Sequence, residues 1–370
     1  MGKKEQPQEF NKIALVGLGL IGGSLGMAIK RKFPEIEITG SGRQVVIDEA
    51  VKIGAIDRGF LKTEVEACIG GADLVILCMP IATIIEMLPL IAGVVKPGAL
   101  VTDVGSTKRL IVETAARYFP GDRYFLGAHP MAGTEHRGIG SADPFLFENA
   151  VYVLTPTAET PENLVTAFRQ IAEAIGARVV VMDPKQHDRV AAAVSHLPQL
   201  TAVSLMNLVS RQENPELFLQ LAAGGFRDMT RIASSPYHIW KDILNTNREK
   251  IIHFIDKMID ALRQTRENLS SGSLEKEFEH AAGKRATIPL NTKGFMHPHF
   301  DLGLNVEDKP GVIATIAVTL AEENINIKDI EVLKVREGEF GSLRISLETP
   351  EARQRASQLL EEKGISTRII

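Results

Sequence analysis

Four polar clusters in this chain carry side chains able to move protons and hold anions. They are Gly105-Ser106-Thr107-Lys108, the run from His129 to Glu135, Ser195-His196-Leu197-Pro198-Gln199, and the run from Gly224 to Arg231 that includes Asp228. An imidazole such as that of His129 or His196 titrates near neutral pH, which suits it to general-base work on a hydroxyl. The alternative for a histidine after a strand is a polar group satisfied inside the fold. The planar guanidinium of Arg231 suits bidentate contact with a carboxylate, and an ion pair with Asp228 is its alternative. Glu135 and Asp228 read either as partners that orient this set or as carboxylates at helix ends. The chemistry these types favour is holding a small anionic substrate and moving one of its protons.

A fifth cluster is built for phosphate. Gly17-Leu18-Gly19-Leu20-Ile21-Gly22 follows an apolar run of strand length and precedes a helical segment expected to begin near Gly23. In a GxGxxG at that position one glycine makes the tight turn, one lets the backbone approach a pyrophosphate, and one lets the helix pack on the strand. The helix start offers unpaired N–H donors to the phosphates. A glycine turn without ligand is the alternative. The second strand ends Thr39-Gly40-Ser41-Gly42-Arg43, with no carboxylate to hold the adenine-ribose hydroxyls. Ser41 and Arg43 are the candidate contacts at that end. Arg43 reads as the partner of a 2′-phosphate or as a solvated charge, so NAD is expected and NADP stays open.

The elements that must position these groups follow from periodicity. At 370 residues the chain exceeds what one core usually supports, so two or three domains are expected. From Lys12 to about Asp183, strand-length apolar runs alternate with helical segments, which predicts a Rossmann-type, doubly wound parallel α/β sheet of seven strands in a dinucleotide-binding domain, 11–183. Ligands of such sheets sit beyond the carboxyl ends of the strands, where the Ser106 and His129 clusters fall. Residues 184–290 read as an all-helical substrate and dimerisation domain, with a long apolar stripe from Pro236 to Leu269 that suits a partner subunit. A homodimer is expected. Residues 298–370 follow a βαββαβ order, that of a small ferredoxin-like domain.

Composition excludes several classes. A net charge of −4, from 42 basic and 46 acidic side chains, gives no electrostatic reason to bind nucleic acid or an anionic membrane. The only two cysteines, Cys68 and Cys78, are too few for a disulfide framework and are not spaced as metal ligands, so a reducing compartment and no metal are expected. The first ten residues lack the apolar core of a signal peptide, and no run approaches the roughly 18 apolar residues of a membrane span. A cytoplasmic enzyme is the expectation.

The segments AHPMAGTE, SHLPQ and GGFRDMTRIASSP followed by Trp240, together with the glycine loop, resemble prephenate dehydrogenases and their arogenate-using relatives over nearly the whole chain. The C-terminal domain resembles an ACT domain through Asp308-Lys309-Pro310-Gly311 and Asn324-Ile325-Asn326-Ile327. The resemblance implies oxidative decarboxylation of prephenate in tyrosine biosynthesis with hydride passing to NAD(P), and feedback by tyrosine. It implies that His129 is the base at the substrate hydroxyl, with Ser106 as its hydrogen-bonding neighbour, and that Arg231 holds a carboxylate. His196 would orient the cleft. Where the family often has histidine, the fifth residue of the SHLPQ segment is Gln199, which leaves prephenate or arogenate open. In the ACT-like domain the turn at Pro310-Gly311 beside Asn326 and Ile327 is the candidate amino-acid site, the alternative being a module that only assists assembly. A non-catalytic NAD(P) and amino-acid sensor would need neither His129 nor Arg231.

Overall fold

The computed structural model describes residues 10–119, 121–133, 137–272, 274–287, 300–307, 309–334 and 340–369. They form two compact units, Met1–Gly283 and Lys284–Ile370. The first opens with β1 (Lys12–Val16), α1 (Leu20–Lys32), β2 (Glu37–Gly42), α2 (Gln44–Lys52), β3 (Arg58–Leu61), α3 (Val65–Ile69), β4 (Leu74–Leu77), α4 (Ile81–Val94), β5 (Leu100–Asp103) and α5 (Arg109–Tyr118). It continues with β6 (Tyr124–Pro130), β7 (Val151–Thr155), α6 (Glu162–Ala174), β8 (Arg178–Val181), α7 (Pro184–Ala191), α8 (Leu197–Ser210), α9 (Pro215–Gln220) and α10 (Gly224–Thr230). The helices α11 (Tyr237–Thr246), α12 (Arg248–Ser271) and α13 (Glu275–Ala286) follow.

The strands lie in the order β3-β2-β1-β4-β5-β6-β7-β8. Side chains alternate across a strand, and the core divides accordingly: Ile13, Leu15, Leu74 and Ile76 pack on one face, Ala14, Val16, Val75 and Leu77 on the other. Both faces are covered, which is why these strands read as unbroken apolar runs. The chain order reverses between β1 and β4, so the ligand crevice opens at their carboxyl ends.

Two sequence expectations change here. The sheet has eight strands, because the short β3 segment RGFL carries too little β signal to be recognised. It is also not wholly parallel: β7 runs antiparallel to β6, and β8 is parallel to β7. A parallel return needs a crossover of helix length. Between β6 and β7 the described residues hold no α-helix, only the 3-10 turn Ile139–Ser141 and tight turns over 144–149, so the chain re-enters the sheet from the side it left.

The helical part begins with α7, passes through a π-helical turn at Ala192–His196 and continues as α8. Pro198 has no N–H to give the preceding turn, which favours the wider winding. The stripe from Pro236 to Leu269 is broken at Asn247, the buried residue that separates α11 from α12. On α12 only Ile251 is buried, while Ile252, Ile259, Leu262 and Leu269 are exposed. Among the described residues no helix is long and apolar enough to cross a membrane.

The second unit contains β9 (Phe300–Glu307), α14 (Val312–Glu322), β10 (Asp329–Lys334), β11 (Phe340–Leu347), α15 (Pro350–Glu362) and β12 (Ser366–Ile369). Its antiparallel sheet has the order β10-β11-β9-β12. The core joins Leu302, Leu304 and Ile345 of the sheet to Ile316 and Leu320 of α14 and Ala356 and Leu360 of α15. This is the ferredoxin-like arrangement the sequence order implied. The segment 288–299, where the sequence reading places the boundary, lies outside the described residues.

Candidate active site

The glycine loop has the geometry of a phosphate cradle. Gly17 adopts φ +103°, and a Cβ there would lie 2.5 Å from the Cys78 carbonyl oxygen. A Cβ on Gly22 would lie 2.1 Å from the Gly17 carbonyl oxygen, so this glycine lets α1 close onto the loop. Gly19 is the N-cap of α1, and a Cβ there would meet nothing within 4 Å. The backbone at Gly19 is therefore open to a ligand. The helix starts at Leu20 rather than near Gly23, because Leu20, Ile21 and Gly22 themselves make its first turn, whose N–H groups have no partner within the helix. These features fit a dinucleotide pyrophosphate.

Beside the loop lies a cavity of about 440 Å³ lined by residues that include Gly17, Gly19, Ser41, Arg43, Lys62 and Ile139. None of its described lining residues is acidic. Ser41 is buried, its hydroxyl donating to the Leu61 carbonyl at 3.4 Å, and Arg43 stands exposed at the N-cap of α2. Lys62 was not legible from sequence. It follows the unrecognised β3, which brings its chain alongside the end of β2.

Past β5 and β6 lies a buried polar cluster. Lys108, fully buried, pairs with buried Asp103 and also donates to the Ala128 carbonyl at 2.8 Å. The Asp103 carboxylate accepts the backbone N–H groups of Gly105 at 2.8 Å and Ala128 at 3.1 Å. This pair fixes the end of β6 one residue before His129. Burial pushes the Lys108 ammonium down, while Asp103 opposes that shift.

His129 is half-buried, and its Nδ1 lies 2.9 Å from Nε2 of His187 on α7. Nδ1 of His187 lies 2.9 Å from the Asp188 carboxylate, which also accepts the backbone N–H groups of Lys108 at 2.6 Å and Arg109 at 3.0 Å. Burial, reinforced by the neighbouring His187, Lys108 and His196, holds His129 well below the usual histidine range. His196, buried at the end of the π-turn, is lowered to about 4 mainly by burial. Its Nδ1 lies 3.3 Å from Nδ2 of Asn247, and its ring meets Trp240 edge-on at 6.0 Å.

The structure gathers some of the sequence candidates and leaves others apart. His129 and His196 share this cluster. Ser106 is half-buried on the same β5–α5 turn, but the ring partner of His129 is His187. Gln199 is buried and donates to the Ile232 carbonyl at 2.9 Å, which places the chain beside Arg231 against α8, the helix that follows His196. Arg231 and Asp228 are both exposed. Glu135 lies outside the described residues. His187, Asp188 and Asn247 were missed in sequence, although the i, i+3, i+4 spacing of Asp188, Ala191 and Ala192 marks a face of α7 on which small residues admit close neighbours.

In the second unit Gly311 adopts φ +93° as the N-cap of α14. A cavity of about 340 Å³ adjoins the turn, lined by residues that include Asn305, Lys309, Thr315 and Lys363. Pro310 and Asn326 are exposed, and Ile327 packs partly into the core. Asn326 is not among the lining residues, so the turn and Asn326 do not share this cavity. Asp308 lies outside the described residues.

Comparisons with known proteins agree with this organisation. Residues 25–181 match the nucleotide-binding domain of prephenate dehydrogenase, residues 183–282 its dimerization domain, and residues 301–362 the ACT domain. The prephenate dehydrogenase of Bacillus subtilis is 38% identical over 96% of this chain and 97% of its own length. A crystal structure of prephenate dehydrogenase from A. aeolicus, in complex with hydroxyphenyl propionate and NAD+, is 29% identical with a TM-score of 0.68, over 77% of this chain and 98% of that one. That of Synechocystis arogenate dehydrogenase is 30% identical with a TM-score of 0.66, over 74% and 99%.

The Lys108–Asp103 pair generates a stability prediction. Removing one partner leaves a buried charge without its counter-charge, which costs about 3–5 kcal/mol. Lys108→Met should lower the unfolding free energy by that amount in urea titration; a loss below about 1 kcal/mol, the size of a surface pair, would contradict the buried arrangement.

Proposed function

This chain belongs to the prephenate dehydrogenase family, and from that membership we propose that it converts prephenate to 4-hydroxyphenylpyruvate. The observation that carries the reading is the His129 imidazole, set against His187 in a polar cluster at the end of β6. The chain continues from it to Gly138 and Ile139 at the rim of the glycine-loop cavity. Gly17, Gly19 and Gly22 would hold the dinucleotide, whose nicotinamide supplies the hydride acceptor. Arg231 binds a substrate carboxylate. His129 takes the proton of the ring hydroxyl as hydride leaves the same carbon. Loss of carbon dioxide then sends its bonding pair into the ring, which becomes aromatic, and His129 returns the proton to the phenolic oxygen. Protons and electrons balance without a further reactant.

Cofactor choice follows from the ribose end of the cavity. With Arg43 and Lys62 present and no described carboxylate, the site supports NADP as well as NAD. Arogenate is the alternative substrate, since a neutral amide at Gln199 is compatible with a keto-acid or an amino-acid side chain. The exposed apolar residues of α12 support a homodimer. The ACT domain, with its cavity beside Gly311, supports inhibition by tyrosine, and two free cysteines suit the cytoplasm. Turnover of both substrates with both cofactors, with and without tyrosine, tests these choices together.

Three outcomes are expected. His129→Asn should lower kcat on the order of 10²- to 10⁴-fold while cofactor binding, read by fluorescence titration, is kept; equal turnover would remove the base assignment. Arg231→Ala should mainly raise KM for prephenate, because a lost anchor weakens ground and transition states alike, and an unchanged KM would refute the role. Because His129 lies well below its ordinary value of 6.5, the unprotonated base persists as pH falls through 6.5. The acid limb of kcat/KM should therefore begin below that pH, and a decline starting above it would contradict a depressed base.

A further inference from the structure

We propose that His187 and Asp188 are positioning residues for His129: they hold its ring in the Nδ1–H tautomer, leaving the lone pair on Nε2 to receive the substrate's hydroxyl proton. The inference rests on the proposed role of His129 as base.

The argument starts at a group that can only accept. The Asp188 carboxylate is buried at the start of α5, where it takes the N–H groups of Lys108 and Arg109 at 2.6 and 3.0 Å. Such N–H groups lack partners within the helix and can only donate, so both oxygens of the carboxylate already face donors. An ionised carboxylate has no proton to give, so the 2.9 Å contact with His187 requires a proton on His187 Nδ1. A neutral His187 then carries its lone pair on Nε2. The 2.9 Å contact from that atom to His129 Nδ1 in turn requires the proton on His129 Nδ1. The remaining ring nitrogen of His129 is the acceptor.

The surroundings disfavour the other arrangement. A doubly protonated His187 would turn its Nε2 into a donor and force the proton of His129 onto Nε2, where it could not act as base. That cation would give up its hydration in a buried site. The titratable groups acting on His129 are His187 from α7, Lys108 from the turn before α5 and His196 from the π-turn, with Asp188 bonded to His187 and Asp103, at the end of β5, bonded to Lys108. Two of the three histidines are held low, His129 and His196, and both mainly by burial.

Asp188 also acts through its backbone. Its carbonyl accepts Nδ2 of Asn247 at 2.7 Å, which fixes the amide with a second N–H toward His196 Nδ1 at 3.3 Å. His196 is thereby an acceptor at Nδ1 and a donor at Nε2. One residue thus sets two imidazoles in opposite tautomers, one to take a proton and one to give a hydrogen bond.

The test compares His187→Gln with His187→Phe in the full-length enzyme. A glutamine carbonyl can reach the place of His187 Nε2 and accept from His129; phenylalanine keeps the ring volume but accepts nothing. The Phe variant should lose kcat on the order of 10²-fold with KM changed by less than about threefold, and Gln should restore about tenfold of that loss. A packing role would rank the variants the other way, and that order overturns the proposal. Histidine-labelled ¹⁵N NMR, with the His129 signals identified by their loss in His129→Asn, should show the Nδ1–H tautomer in the native enzyme and its erosion in His187→Phe. An Nε2–H tautomer in the native enzyme also overturns it. Should the Phe variant not fold, Asp188→Asn keeps the shape but can donate to His187, and an unchanged His129 tautomer there counts against the proposal. Because the NMR readout needs no turnover, an active His129→Asn enzyme would defeat the base assignment while leaving the tautomer result to stand by itself.

Discussion

A carboxylate sealed from water cannot be left partly satisfied, and Asp188, through its side chain and its backbone carbonyl, draws three parts of the first unit together. It accepts from the start of α5, from its own neighbour His187, and through its backbone carbonyl from Asn247 at the break between α11 and α12. Burying such a charge without partners costs several kcal/mol, so each partner is held in place by the penalty of leaving. The nucleotide-binding sheet and the helical part are joined at this point by polar bonds, and the adjacent α11 adds apolar contact where Ile243 and Trp240 pack against the sheet's second core face.

The same dryness that makes the cluster demanding gives it chemical value. Lys108 and Asp103 neutralise one another beneath the end of β6, and their bonds to Ala128 set where the next residue, His129, must emerge. An imidazole in such surroundings resists taking a proton from solvent. The glycine loop works on a different principle. It offers open backbone and unpaired N–H groups to an anion, with no side chain needed. His129 and the glycine loop therefore sit at the carboxyl ends of different strands of one sheet, β6 and β1, as a doubly wound topology allows.

Much of this was legible in the residues, and the exceptions share a cause. The glycine loop could be read because its function is local: Gly17, Gly19 and Gly22 act within six residues between a strand and a helix. The His129 segment could be read because it ends a strand, and the family resemblance rested on motifs of that local kind. What the sequence could not display were effects of distant partners. Asn247 breaks an apolar stripe because its amide is committed to Asp188, 59 positions away. β7 reverses because its preceding connection lacks a crossover helix, and a count of apolar runs does not register direction. His187 and Asp188 look like an ordinary polar pair on a helix until α7 is laid against the start of α5.

The central claim is that His129 faces the oxidised carbon's oxygen while Arg231 holds a carboxylate of the same molecule. The most direct measurement is a crystal structure of this enzyme with NAD and a hydroxyphenyl carboxylate as product mimic. The account predicts the phenolic oxygen within about 2.6–3.2 Å of His129 Nε2 and the mimic's carboxylate beside the Arg231 guanidinium. A phenolic oxygen bonded to another group, with His129 turned away from the ligand, would contradict it.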